Sequence, residues 1–318
     1  MADCKALLKA IDAYIEKADT GVAEMLRGAG FINTDELMEE IISLEDLIAR
    51  ALTGETRYIN RRLRAAVDLG SFANDWPEIK ALDNVDDVLA QLFYDSFTKN
   101  MQNVATAYIK QIDSALVVSK LSQRTMDWAK EWSEQLGKLM KLSTHETIER
   151  LLVENLRDGN SVADFTRALQ DGGIRDEYKR ARTASLTEML RAHSVAQQEA
   201  IMQNPAVEDK KWVHTGEYRN KPRANHVEMD GQVVRKDQPF TLNGADGNVY
   251  FPMYPRDSEL PVGEAANCHC IHQGVPNADV LGLSLEERQR LQEQAIAEDD
   301  GLWERELDAQ NRARAGIE

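Results

Sequence analysis

Cysteine is scarce in this chain, with three in 318 residues. An odd and small number cannot build a disulfide framework, so a reducing compartment is expected. Aromatic residues are few, at 6%. Basic residues are outnumbered, 38 Lys and Arg against 54 Asp and Glu, for a formal charge of −16. That balance excludes a protein built to coat nucleic acid, which needs a basic surface. It suits a basic or mixed protein partner and leaves room only for local DNA contact. No apolar run approaches the ~20 residues of a membrane span, so no membrane is expected. The first 21 residues follow an amphipathic helical pattern interrupted by Asp12, Glu16 and Asp19, which is not a signal peptide. Hydrophobic residues still make up 42%, enough for a real core.

Proline is nearly missing from the first 204 residues, where Pro77 stands alone. These residues read as helix throughout. "DELMEEIISLEDLIARAL" puts Leu37, Ile41, Leu44 and Ile48 on one helical face, with Asn33 as the N-cap. "VDDVLAQLFYDSFTKNMQNVATAYIKQIDSAL" keeps Val85, Leu89, Leu92, Phe93, Phe97, Met101, Val104, Tyr108 and Ile112 at helical spacing. Ser143 and Glu146 read as a capping box that opens a further helix, ended by Gly159. "SVADFTRALQDGG" repeats this on a smaller scale, and a long helix then runs to Pro205.

Residues 206–276 are different, holding six of the eight prolines, four of the six histidines and two of the three cysteines. "KKWVHTG" reads as a strand. "HVEMDGQVV" reads as a hairpin turning at Asp230 and Gly231, and "NVYFPMYP" as a short strand ended by prolines. From Ser284 the pattern is helical again, with a capping box to Glu287. Residues 277–318 carry 11 acidic and 5 basic residues, so this tail reads as a solvated arm or a partner-binding helix. The expected fold is mainly α: an elongated helical body, a small irregular α+β module with a short hairpin and a Cys/His-rich end, and a helical C-terminal tail. The expected divisions are 1–142, 143–276 (helices 143–204, small module 206–276) and 277–318.

Within "GEAANCHCIH", Cys268 and Cys270 are too close to bridge each other without strain. Two readings stand. In one, both thiols bind a structural zinc with His226 and one of His272, His269 or His214; the expected ligand set is His226, Cys268, Cys270 and His272. A module of ~70 residues gains much from such a staple. In the other, the thiols are small buried apolar groups. Arg223 and Asp230 are expected to pair beside the turn. Catalysis finds no support: no H-E-x-x-H is present, and no Gly-rich phosphate loop precedes a helix. Trp128 and Trp132, four apart, read as core packing, "KRAR" at 179–182 as a solvated helix face, and His145 and His193 as structural.

The order of these pieces resembles the Mu F-like, or phage head morphogenesis, family of minor capsid proteins. The resemblance covers residues 155–275 or so. It is carried by Arg182-Thr183, Trp212, Arg223 and His226, Met229-Asp230-Gly231, and Asn267-Cys268-His269-Cys270. The Cys-x-Cys end of that family usually has Arg in the middle, where His269 stands here, and Arg-x-x-His takes the place of paired cysteines. The resemblance implies a structural virion protein of a tailed phage, not an enzyme. It would associate with the portal protein and with capsid or scaffold proteins on the capsid interior, and would assist head assembly and DNA packaging or delivery. It would lie in the host cytoplasm during assembly. The alternative is a zinc- or cysteine-dependent hydrolase or nuclease carried in the virion.

Overall fold

A computed structural model describes residues 19–171, 177–215 and 222–315. The helix expected over the first 21 residues, and Cys4 with it, lies almost wholly outside the described residues. The helices are α1 (19–28), α2 (Thr34–Ala65), α3 (Leu69–Leu82), α4 (Val85–Ile112), α5 (Gln123–Arg157), α6 (Val162–Asp171) and α7 (Glu177–Gln203). There follow β1 (Val207–Val213), α8 (Ala224–Glu228), β2 (Val233–Arg235), β3 (Leu242–Asn243), β4 (Val249–Tyr250), α9 (Val262–Ala265), β5 (Ile271–Pro276), α10 (Ala278–Leu281) and α11 (Leu285–Arg314). The protein is mainly α, with a small α+β module and a helical tail, as the sequence predicts.

The chain divides into two compact units. One comprises 41–99 and 127–186. Its core joins Ile59 and Leu63 of α2, Phe72, Trp76 and Ile79 of α3, Ile148, Leu151 and Leu152 of α5, and Phe165 and Leu169 of α6. Phe72 meets Trp76 and Phe165 with ring centroids 5.8 and 5.9 Å away. Helices α4 and α5 approach closely because residue 137 is glycine: a Cβ there would lie 2.3 Å from the Asp86 carbonyl oxygen. Gly159, at φ +70°, ends α5, its N–H donating to Leu156 O and that of Asn160 to Asn155 O. This is the reciprocal pair of bonds that closes a helix on a left-handed residue.

Ser143 does not open a helix. It lies inside α5, because the apolar positions continue in register through it and a capping pair loses to an unbroken helical face. The basic run 179–182 is not a solvated face either. Arg180 donates to Thr144 Oγ1 and Met140 O, Arg182 pairs with Glu45 at 2.8 Å, and Ala181 is buried. Thr183 is exposed. Trp128 stacks on Phe97 at 5.4 Å and Trp132 is buried, as core packing requires.

The other unit comprises the described residues of 1–40, with 100–126 and 187–315. In its sheet β1 is central and pairs antiparallel with β2 and β5, placing Trp212 opposite His272 and Val213 opposite Ile271. Trp212, Met229, Phe240, Leu242, Leu260, Ala265, Cys268 and Cys270 form the core of the small module. The expected hairpin at 226–234 is not formed. Residues 224–228 are helix α8, since His226 and Met229 are buried at a spacing of three, and β2 pairs with β1. Gly231 does turn the chain, at φ +81°, with its N–H bonded to Trp212 O. The actual hairpin joins β3 to β4 across the polar segment 244–248.

The tail is less free than its composition suggests. Ser284 and Glu287 form the expected capping box. Along α11, Arg288 then pairs with Asp113 at 2.7 Å, Gln292 donates to Val117 O, and Asp300 accepts from the Gln123 N–H. Arg124 lies 4.7 Å over the Trp303 ring. Polar residues dock this helix, which is why its composition reads as a solvated arm.

Candidate metal centre

His226 is carried by α8, and both its N–H and that of Val227 bond to Arg223 O. The cysteines come from the passage between α9 and β5. Asn267 turns the chain there at φ +54°, and the backbone then extends toward Ile271. Alternate residues of an extended segment share a face, so Cys268 and Cys270 point together into the core while His269 points away. Arg256 locks this passage. Its guanidinium, in a residue fully buried and itself at φ +65°, donates to Cys268 O and Cys270 O at 2.8 Å each, and to Ser194 Oγ on α7. Arg223 adds a bond of 2.6 Å to Ala266 O.

These elements bring three ligand-type atoms together. Cys268 Sγ lies 3.5 Å and Cys270 Sγ 3.8 Å from His226 Nδ1, and all three atoms fall within 4.8 Å of one another. The residues are only 2%, 4% and 3% exposed, in that order with His226 last. Both cysteines are free thiols. The other His226 nitrogen, Nε2, is 2.9 Å from Glu264 Oε2. Glu264 in turn accepts from Asn225 Nδ2 and the Ala245 N–H, at 3.1 and 2.8 Å. The Trp212 ring stands edge-on to the imidazole, centroids 6.2 Å apart.

Hydrogen bonding from Cys270 prevails over burial, with help from the His226 and Arg256 charges, and holds the Cys268 thiol well below the usual thiol range. Cys270 is pushed up by the neighbouring Cys268 sulfur and by burial. Burial works against a charged His226, but the Cys268 sulfur and the Glu264 carboxylate outweigh it and raise its pKa. The two shifts run in opposite directions, and the contact between Cys268 Sγ and His226 Nδ1 lies where a cation would sit. Bonds of about 2.3 Å to sulfur and about 2.0 Å to nitrogen put tetrahedral S and N ligands about 3.5 Å apart, which the observed separations match.

His272 does not join this group. It is fully buried on β5, its ring tilted against Tyr254 at 6.2 Å, and burial with the Lys210 and Arg256 charges holds its pKa well below the usual imidazole value. His269 and His214 are also outside it. Asp230 does not pair with Arg223: it accepts from the His214 N–H at 2.8 Å, capping the end of β1. Glu264 and Arg256 carry no signal in the sequence; a lone Glu in a four-residue helix and a lone Arg in a proline-rich loop fit no motif.

A family model described as "Phage Mu protein F like protein" matches residues 146–273. It takes in Arg182, Arg223, His226 and both buried cysteines. An uncharacterized protein of Bacillus subtilis (strain 168), YqbB, is 33% identical over 307 residues, spanning 92% of this chain and 97% of that relative. The chain belongs to the phage Mu F-like family. This is a bacteriophage family of the head-morphogenesis type, and a structural one. No solved structure matches the chain. Among the described residues no helix is long and apolar enough to cross a membrane.

Proposed function

We propose that the protein is a minor structural component of a tailed-phage head, bound to the portal protein and to capsid or scaffold proteins on the capsid interior during head assembly and DNA packaging or delivery. The observation that carries this reading is the family match over 146–273. Its most distinctive residues here make a buried tie, not a cleft. In this reading zinc is a structural staple, held by His226 Nδ1, Cys268 and Cys270. It links α8 to the start of β5, segments some forty residues apart. The Glu264 carboxylate against His226 Nε2 fits, because a ligating histidine commonly donates its other N–H to such a group.

The test of the head reading is co-expression with the portal protein of the same phage, followed by pull-down and mass spectrometry of purified virions. Association and a few copies per particle are expected; absence from both overturns it. For the staple, elemental mass spectrometry should find zinc in the full-length protein, with Cys268 and Cys270 resistant to alkylation until a chelator is added. The contact of Cys268 Sγ with His226 Nδ1 keeps a cysteine-dependent hydrolase as the second reading. Burial opposes it, and rapid alkylation of Cys268 in the untreated protein would favour it.

A further inference from the structure

A second convergence of ligand-type side chains lies in the helical unit, outside the stretch matched by the family model. It takes Glu55 from α2, Asp83 from the end of α3 and His145 from α5, all three buried. His145 Nε2 is 2.8 Å from Asp83 Oδ2 and 4.0 Å from Glu55 Oε1. Most atoms around it have partners. Asp83 Oδ1 accepts from the Val85 N–H at 3.1 Å, and Glu55 Oε2 from Thr144 Oγ1 at 3.2 Å. Arg180 holds Thr144, and Lys141 reaches the Asp83 carbonyl and the Asp86 carboxylate. The Trp76 ring closes one side, edge-on to His145 at 5.4 Å. One atom is left over: Glu55 Oε1 is buried and receives no hydrogen bond, although it faces the other two residues.

A buried carboxylate oxygen without a donor is costly, and more so beside a second carboxylate. A cation between the three residues removes that cost. We propose that Glu55, Asp83 and His145 form a second metal site, for a divalent transition ion such as zinc or manganese. Each residue offers one ligand atom, and the three atoms lie within 4.8 Å of one another. Two carboxylates and one imidazole suit ions of intermediate hardness. Bonds of about 2.1 Å separate such ligands by roughly 3.0–3.4 Å, between the two distances observed, so a side-chain rotation of Glu55 completes the site. The ion would pin α2, the α3–α4 turn and α5 to one another. The competing occupant is a proton, since burial and the Asp83 charge push Glu55 up to about 8.

The experiment is metal counting on the full-length protein, saturated with zinc and dialysed against metal-free buffer. Glu55→Gln should lower the content of the wild-type protein by one equivalent. The Cys268→Ser, Cys270→Ser double variant should keep one equivalent, and Glu55→Gln added to it should abolish binding. Should that double variant fail to fold, the wild-type comparison stands alone, read with cobalt(II). The thiolate charge-transfer band should persist in Glu55→Gln while one equivalent of cobalt is lost. A metal content that Glu55→Gln leaves unchanged overturns the proposal and assigns the site to a shared proton. An equivalent lost only with the cysteines does the same, and leaves the thiol staple standing.

Discussion

Glu264→Gln is the sharpest probe of the Cys–His cluster, because it removes a charge without removing volume. Glu264 Oε1 accepts from the Ala245 N–H, and Oε2 accepts from both Asn225 Nδ2 and His226 Nε2. An amide has one oxygen. If that oxygen stays on Ala245, the new NH2 faces two donors. His226 then relieves the conflict by moving its proton to Nδ1 and accepting at Nε2, which takes Nδ1 out of metal binding. If the amide flips, the same conflict arises at Ala245. Either way the tautomer needed for ligation is disfavoured. Loss of a group that orients a ligating histidine typically weakens metal binding 10–100-fold, or about 1.4–2.7 kcal/mol. A competition titration of zinc against a chromophoric chelator reads this directly, with circular dichroism confirming that the variant folds. A zinc affinity equal to that of the wild type in a folded variant would refute Nδ1 ligation and, with it, the role given to Glu264.

Two glycines should respond to alanine in opposite directions. Gly137→Ala gains helix propensity but drives a methyl into the Asp86 backbone, and should lose about 1–3 kcal/mol by urea unfolding. Gly54→Ala, in open space on α2, should gain about 1 kcal/mol in the same assay. His193 is buried, with both ring nitrogens lacking partners, and burial pulls its pKa down to about 3. The unfolded chain takes up that proton below about 6.5, so stability is lost as pH falls from 6.5 toward 3, by up to ~1.4 kcal/mol per unit. His193→Leu should flatten the acid limb of a melting-temperature profile there. Lys210 is fully buried against Met253 O and Gln198, and burial lowers its pKa to about 7. The unfolded state holds its proton up to about 10.5, so this group makes stability rise with pH between 7 and 10.5. Lys210→Met should remove that rise, and an unchanged profile would show Lys210 charged in the folded protein.

The helices were legible because each carries a face of apolar residues over many turns, and faces such as Leu89, Phe93 and Phe97 average out local exceptions. Short-range signals did worse. Ser143 and Glu146 have the spacing of a cap but sit on a continuing helix, and Asp230-Gly231 turns the chain without a second strand before it. The three residues that converge in the module were readable from residue type alone. Their geometry was not, because it depends on Arg256 and Glu264, which act from loops and short helices where sequence has no period. The Glu55, Asp83 and His145 group was hidden for a different reason: its members are 28 and 62 positions apart, on two long helices and the turn after α3, whose patterns each look ordinary.

The small module shows why such ties are needed. Among the described residues its central apolar cluster has eight buried members, two of them the cysteines themselves, with Ala206, Val207, Tyr254 and Ile271 also buried. Around that core the fold buries Lys210, Arg256 and His272, whose desolvation works against folding. A core of that size gains from additional ties. Arg256 returns part of the cost by fixing two carbonyls and one hydroxyl, which orders the Cys268–Cys270 passage from α7. It leaves the thiols themselves uncommitted. The cluster with His226 joins that ordered passage to α8, whereas the hydrogen bonds of Arg256 tie it to α7. The two devices therefore act in series: the arginine sets the direction of the sulfurs, and the thiol–imidazole contact closes the module. In the function proposed above, in which the protein holds its shape against partners, rigidity of this kind is the property to be expected. A reactive cysteine would need the reverse arrangement, with its sulfur open to a substrate.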